Sequence, residues 1–217
     1  MKKLKPILME NEKETELIAN RYKVEKTLGS GNSGIAFLTR DRKSKRDNIE
    51  LKVVKKVYIG ALKLEETVTA ASEANLLRSL YHPNILRYFD SFVDGQFYCI
   101  VTEFCDEGDL DSKIQRYKRE RNSFDEGLII QWVVELLLAL QYIHNRNILH
   151  RDLKTKNIFL KNNGQLKIGD FGISKVLSGT IDMAETFVGT PYYMSPEVLK
   201  HEGYNSKSDI WLGTGPG

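Results

Sequence analysis

Cysteine is almost missing from this chain. Cys99 and Cys105 are the only two in 217 residues, and their spacing fits neither a disulfide framework nor a zinc site, which points to a reducing, cytoplasmic compartment. A charge excess is missing too: 32 Lys and Arg against 29 Asp and Glu leave +3, too little to argue for nucleic acid or a membrane surface as partner. No apolar run approaches membrane-spanning length. The N-terminus, with Lys2, Lys3 and Lys5 ahead of Glu10-Asn11-Glu12, is too short and too charged for a signal peptide. There is no internal repeat and no low-complexity tract. What remains is a soluble, intracellular chain long enough for one large domain or two small lobes.

The chain is organised around Ile148-Leu149-His150-Arg151-Asp152-Leu153-Lys154-Thr155-Lys156-Asn157-Ile158-Phe159-Leu160. Apolar runs flank a compact polar core, so both ends read as buried and the middle as a turn. An acid (Asp152), a cation two residues on (Lys154) and an amide five residues on (Asn157) have the spacing of a phosphoryl-transfer loop. In such a loop the acid receives the proton of the attacking hydroxyl, the cation steadies the transferring group, and the amide holds a metal ion.

Residues 1–20 read as a polar extension of helical character without a core face. Gly29-Ser30-Gly31-Asn32-Ser33-Gly34 is a G-x-G-x-x-G loop, in which the glycines let backbone N–H groups approach phosphate. Alone, the loop is equally a dinucleotide fingerprint or a hairpin turn. A Rossmann unit would open a helix here, whereas Ile35 to Thr39 reads as a strand. In the next strand, Leu51, Val53, Lys55 and Val57 share one face. The other face carries Lys52 and Lys56, read as solvated. A lysine on an apolar face needs a partner. Glu73, on the inward side of a helix over roughly 64–80, supplies one, and the pair would aim the Lys55 ammonium at phosphates.

Beyond His82-Pro83-Asn84, strands are expected at Leu86–Phe89 and Phe97–Phe104, with a hinge at Asp106-Glu107-Gly108-Asp109. Leu128–His144 is apolar nearly all round and so reads as a buried helix, while His144 and His201 read as ordinary surface or capping histidines. In Leu166-Lys167-Ile168-Gly169-Asp170-Phe171-Gly172, Asp170 can ligate Mg²⁺ from a flexible joint.

Together with Ser195-Pro196-Glu197, these motifs in this order resemble the eukaryotic protein kinases. Asp152-Leu153-Lys154 and Gly189-Thr190-Pro191-Tyr192-Tyr193 are similar to serine/threonine rather than tyrosine kinases. Thr186 through Glu197, Ile158 through Asn163 and Tyr204 through Trp211 are similar to the NIMA-related kinases, most of all to the subgroup of the eleventh human member. The resemblance covers about residues 21–211 and implies an α+β, bilobal fold. It divides the chain into an N-terminal extension (1–20), a β-rich small lobe (21–105), an α-rich large lobe (106–211) and a glycine-rich tail (212–217).

The resemblance also implies ATP and Mg²⁺ as cofactors and protein Ser/Thr hydroxyls as acceptors. Catalysis would fall to Asp152, Lys154, Lys55 and Glu73, and Mg²⁺ to Asn157 and Asp170. Gly29, Gly31 and Gly34 would cover the phosphates, and Leu28, Ala36 and Val53 would roof the adenine with Phe159 as floor. Glu103 and Cys105 would offer hinge backbone groups beside Thr102, and Asp109 would meet the ribose. Leu77, His150 and Phe171 would stack as a spine. Thr186 would be an activating phosphosite clamped by Arg151 and Lys175, with Ser178 and Thr180 as alternatives. The family is associated with cell-cycle control, centrosomes and cilia, among which the sequence does not select; the expected address is cytoplasmic, with nuclear or centrosomal as alternatives, and the oligomeric state stays open.

Three departures stand out: Ala36 where valine is usual, Ser33 where the loop tip is often aromatic, and Leu212-Gly213-Thr214-Gly215-Pro216-Gly217 where a long buried helix normally continues. The last leads to the expectation of an incomplete large lobe and low stability, with Glu197 lacking its family arginine. The expected function is ATP-dependent phosphorylation of protein Ser/Thr. The rivals are a catalytically weak, kinase-like binding module or incomplete gene product and, more distantly, a dinucleotide-dependent enzyme.

Overall fold

Short runs of β-branched and aromatic residues, broken by turns, build the first half of the molecule. A computed structural model describes residues 16–31, 34–43, 50–60, 77–171, 195–200 and 203–214. Glu73, Ser33, Gly172, Lys175, Ser178, Thr180, Thr186 and His201 lie outside the described residues, as does most of the helix expected over 64–80. Strands β1 (Leu17–Ile18), β2 (Tyr22–Gly31), β3 (Gly34–Asp41), β4 (Leu51–Tyr58), β5 (Tyr88–Asp94) and β6 (Phe97–Glu103) form one antiparallel sheet in the order β1-β2-β3-β4-β6-β5. Side chains alternate across it. Cys99 and Val101 bury themselves with Ile18, Tyr22 and Val54 on one face, while Tyr98 and Ile100 join the core of the second half.

Two expectations are corrected here. Within the stretch read as a helical extension, the described residues Leu17 and Ile18 form a strand instead: they pair with Lys23 and Tyr22, and Ile18 is fully buried. Lys52 and Lys56 are not solvated. Lys52 is buried, its Nζ 3.1 Å from Asp41 Oδ2 and 4.4 Å from the Phe89 ring centre; Lys56 lies 3.1 Å from Asp94 and over Phe97. Their ammonium groups lie over aromatic rings and find carboxylates at the same time, a solution that strand periodicity alone does not reveal.

Asp41 is the centre of this knot. Arg21 grips it as a fork, Nε to Oδ1 at 2.9 Å and Nη2 to Oδ2 at 2.7 Å, and the Lys43 N–H adds a third donor. Burial alone would push the Asp41 carboxyl up, but the hydrogen bonds from Arg21, Lys43 and Lys52 outweigh it and hold the group well below the usual carboxylate range. A folded pKa below the unfolded value stabilises the protein above the unfolded pKa, about 3.9, and that contribution fades as pH falls through the folded pKa. Urea melts of the sheet followed by far-ultraviolet circular dichroism should therefore weaken below about pH 4. Asp41→Asn, less stable at neutral pH, should show a flatter acid limb. Parallel limbs in the two proteins would remove Asp41 as the cause.

The second half is helical. Asp109 caps α1 (Leu110–Glu120) through Ser112 N at 2.7 Å, and Asp125 caps α2 (Glu126–His144) through Leu128 N at 3.1 Å. Helix α2 buries Trp132, Leu136, Ala139, Leu140 and Ile143, a single stripe at helical spacing, and Trp132 Nε1 donates to Gly164 O at 2.9 Å. It is not buried all round, as its composition suggests: Ile129, Ile130, Val133, Val134, Leu137 and Leu138 are 45–57% exposed. By length and composition alone, this 19-residue helix is also apolar enough to cross a membrane, contrary to the reading of the bare sequence.

A short hairpin, β7 (Ile158–Leu160) and β8 (Leu166–Ile168), packs beside α2, followed by α3 (Pro196–Leu199) and α4 (Ser206–Thr214). Helix α4 runs three residues past Trp211, into the stretch read as a non-helical tail. A single glycine inside a helix costs only about 1 kcal/mol.

Candidate functional site

Between the sheet and the β7–β8 hairpin lies a cavity of about 440 Å³. Every residue expected to bind nucleotide lines it: Leu28, Gly29, Gly31, Gly34, Ala36, Val53 and Lys55 from β2–β4, Glu103 from the end of β6, Cys105 from the connection after it, Asp109 from the α1 cap, and Phe159 from β7. Asp170, expected to hold a metal, joins them. The glycines divide their work. A side chain added at Gly34, whose φ is +112°, would strike the Lys56 carbonyl, so glycine here permits the β3–β4 pairing. At Gly29 and Gly31 an added Cβ would meet nothing within 4 Å, leaving the loop backbone open to a ligand in the cavity.

Lys55 reaches into the cavity, its Nζ 2.6 and 2.7 Å from the two carboxylate oxygens of Asp170. This pair joins the sheet to the segment after β8. The expected partner Glu73 is outside the described residues. Asp170 has φ +57°, a left-handed conformation that Asp tolerates better than most residues.

The polar core of the central stretch folds as foreseen. After Leu153, a 3₁₀ turn at Thr155–Asn157 turns Asn157 inward, where its Nδ2 donates to the Asp152 backbone O at 2.7 Å and to Oδ2 at 2.9 Å. Lys154 Nζ donates to the same Oδ2 at 2.9 Å. Acid, cation and amide thus share one carboxylate oxygen. Thr155 Oγ1, donating to Asp111 at 3.0 Å, pins the turn to α1.

What holds this loop is a residue that the sequence reading left without a role. Asp209, fully buried in α4, accepts from His150 N at 2.9 Å and from Arg151 N at 3.0 Å. It also accepts from the Tyr204 hydroxyl and lies 2.8 Å from His144 Nε2. The expectation for His144 is thereby corrected: it is bound to a buried carboxylate. Its sequence position at a helix end carries no sign of this. Arg151 adopts φ +65°, unusual for a long side chain, and the Asp209 hydrogen bond to its N–H helps to fix that turn. Burial pushes the Tyr204 phenol, with Asp209 beside it, well above its ordinary range, so it remains a donor.

His150 is fully buried, and burial pulls its pKa down, leaving the ring neutral. It stands 3.0 Å from Gly169 O, which fixes the proton on Nε2, while Nδ1 accepts from Asp152 N at 3.3 Å. Its ring lies 4.6 Å from that of Phe171, so these two members of the expected stack do touch. Glu197 accepts from Ser208 Oγ at 2.6 Å, and that hydrogen bond lowers its pKa.

Among the described residues, no group of three or more His, Cys, Asp and Glu could chelate an ion. Asn157 and Asp170 each carry hard oxygen donors of the kind that Mg²⁺ takes, those of Asp170 being bonded to Lys55 here. Asn157 spends its Nδ2 on Asp152 and so keeps Oδ1 for a cation, and phosphate and water complete such a shell.

The pattern of the protein kinase domain matches residues 22–214. Human serine/threonine-protein kinase Nek11 is 54% identical over 195 residues, covering 90% of this chain and 30% of that protein. Mouse Nek11 is 53% identical over 197 residues, 91% of this chain and 31% of its own. Human serine/threonine-protein kinase Nek2 is 41% identical over 200 residues, 89% of this chain and 44% of its own. The chain therefore spans about 30% of the length of the relatives most similar to it among these.

Proposed function

Because this chain belongs to the protein kinase family, we propose that it transfers the γ-phosphoryl group of ATP to serine or threonine hydroxyls of proteins. The observation that carries this reading is the convergence of Lys154 and Asn157 on the Asp152 carboxylate, next to a cavity lined by a glycine loop, Lys55 and Asp170. Asp152 orients the acceptor hydroxyl and takes its proton. Lys154 and Lys55 offset the charge of the transferring group, and no covalent intermediate with the protein is needed. Lys55, now shared with Asp170, gains phosphate as a second anionic partner when nucleotide enters. Asn157 and Asp170 would hold Mg²⁺, which supplies charge neutralisation across the phosphate oxygens.

The serine/threonine preference rests on Asp152-Leu153-Lys154 and on the names of the relatives. A cytoplasmic address, which nuclear or centrosomal work would not contradict, is supported by two buried free thiols. Burial pushes Cys99 up to about 11 and Cys105 up to about 12.

The test is incubation with γ-labelled ATP and a generic protein acceptor, followed by phosphoamino-acid analysis, with the Asp152→Ala chain as blank. Label should appear in serine and threonine and vanish on chelation of Mg²⁺. Counts no higher than the blank would remove the reading, and label in tyrosine alone would remove the acceptor class.

A further inference from the structure

The carboxylate of Glu103 sits in a cluster of cations. Glu103 ends β6, the strand leading out of the sheet, and its Oε2 lies 3.0 Å from Lys167 Nζ and accepts from Arg87 N at 3.3 Å. Its Oε1 lies 3.4 Å from Lys161 Nζ. Both lysines belong to the β7–β8 hairpin region of the other half. Lys167, in β8, is buried between Leu166 and Ile168, and it also donates to Pro83 O at 2.9 Å. Lys161, just after β7, donates in addition to Phe104 O at 3.2 Å.

This hairpin carries the floor of the cavity. Phe159 of β7 is the register partner of Lys167, so the residue Glu103 holds lies directly across the hairpin from the residue beneath the adenine slot. The same seam is stitched by Asn84, whose Nδ2 donates to Leu166 O at 3.0 Å and whose O accepts from Ile168 N at 2.9 Å. Those backbone contacts fix the hairpin to the loop before β5. Only the Glu103 carboxylate, among the described side chains of β6, ties it by charge to the strand that leads into the hinge.

We infer that Glu103, Lys167 and Lys161 form a clasp that sets the spacing between hinge and floor, and so governs how long a nucleotide stays bound. The inference rests on the cavity being the nucleotide site. Glu103 acts here as a positioning residue through its side chain, separately from any backbone contact with the base. With the charge removed, Lys167 must find water or another anion from a buried position, and the hairpin is then held to the hinge by the Leu160 backbone bonds, from Glu107 N at 3.1 Å and to Gly108 O at 2.9 Å, without the charged contact at Lys167. Floor and roof then part more often, and the ligand between them leaves sooner.

The experiment uses the 217-residue chain with Mg²⁺ and the fluorescent probe mant-ADP, read by stopped-flow displacement with unlabelled ADP. Glu103→Gln and Lys167→Met should each speed dissociation by about threefold to tenfold, the range for losing one typical intramolecular hydrogen bond. Lys167→Arg should restore it towards wild type. Lys113→Met serves as control, because Lys113 pairs with Glu107 at 3.3 Å on the far side of the hinge and touches neither β6 nor the hairpin; it should dissociate like wild type. Where a Lys167 variant fails to fold, Lys161→Met tests the same clasp from its more exposed member. Binding of mant-ADP with unchanged dissociation in Glu103→Gln and in the lysine variants overturns the clasp but leaves the function standing. Absence of mant-ADP binding to the wild-type chain overturns the nucleotide site, and the clasp with it.

Discussion

Replacing Lys55 by methionine is expected to lower kcat for phosphoryl transfer by about 10²-fold or more, the scale of losing one preorganised electrostatic group. Lys55 lies opposite Ala36 in the β3–β4 pairing, which aims it into the cavity, and its ammonium is held by both oxygens of Asp170. Methionine has nearly the same length and fills the same channel. Asp170, with its side chain 34% exposed, can turn to water, so the fold should survive with a small change in melting midpoint. Label transfer and a melt on the same preparation check both halves of the statement. Equal activity in mutant and wild type would move the phosphate charge to Lys52 or Lys56. The structure makes that a demanding outcome, since both are engaged by Asp41 and Asp94 on the opposite face.

Asp209→Ala should be the most damaging single change to the fold. It strips the acceptor from two buried or half-buried backbone N–H groups, from a phenol and from His144 at once. Leaving such donors without partners costs about 1–3 kcal/mol for each group. Even two of them amount to a large share of the roughly 5–15 kcal/mol that holds a domain together. The loop that carries Asp152 also loses the contact that stabilises Arg151 at φ +65°, so any folded remainder should transfer phosphate poorly. Asp209→Asn, which keeps one acceptor oxygen and donates where donors already crowd, should fall between. Denaturant unfolding of the three proteins decides the matter, and coincident midpoints would show that α4 does not anchor the loop.

The central stretch was legible because its chemistry is local. Asp152, Lys154 and Asn157 lie within one turn, so their spacing alone brings them to a shared oxygen. The strands were legible through alternation, as in Cys99 and Val101 against Tyr98 and Ile100. Periodicity says which residues share a face but not what covers it. Hence Lys52 looked solvated until Asp41 and Phe89 were seen beneath it, and α2 looked buried on sides that stand open. Partners distant in sequence, such as Asp209 for His144 or Glu103 for Lys167, leave no local trace at all. Leu17 and Ile18 were missed for a related reason: two residues are too short to show a period.

Both tryptophans of the chain, Trp132 in α2 and Trp211 in α4, lie in the helical half, and the sheet has none. Indole emission therefore watches only one side of the cavity. Trp132, buried against Phe124 and hydrogen-bonded to Gly164, should dominate the shift to longer wavelength when that half opens. The sheet can loosen at acid pH, as its Asp41 knot weakens, without altering that signal. A fluorescence melt and a dichroism melt of the same sample thus report two different events, and a gap between their midpoints measures how tightly the two halves of the molecule unfold together.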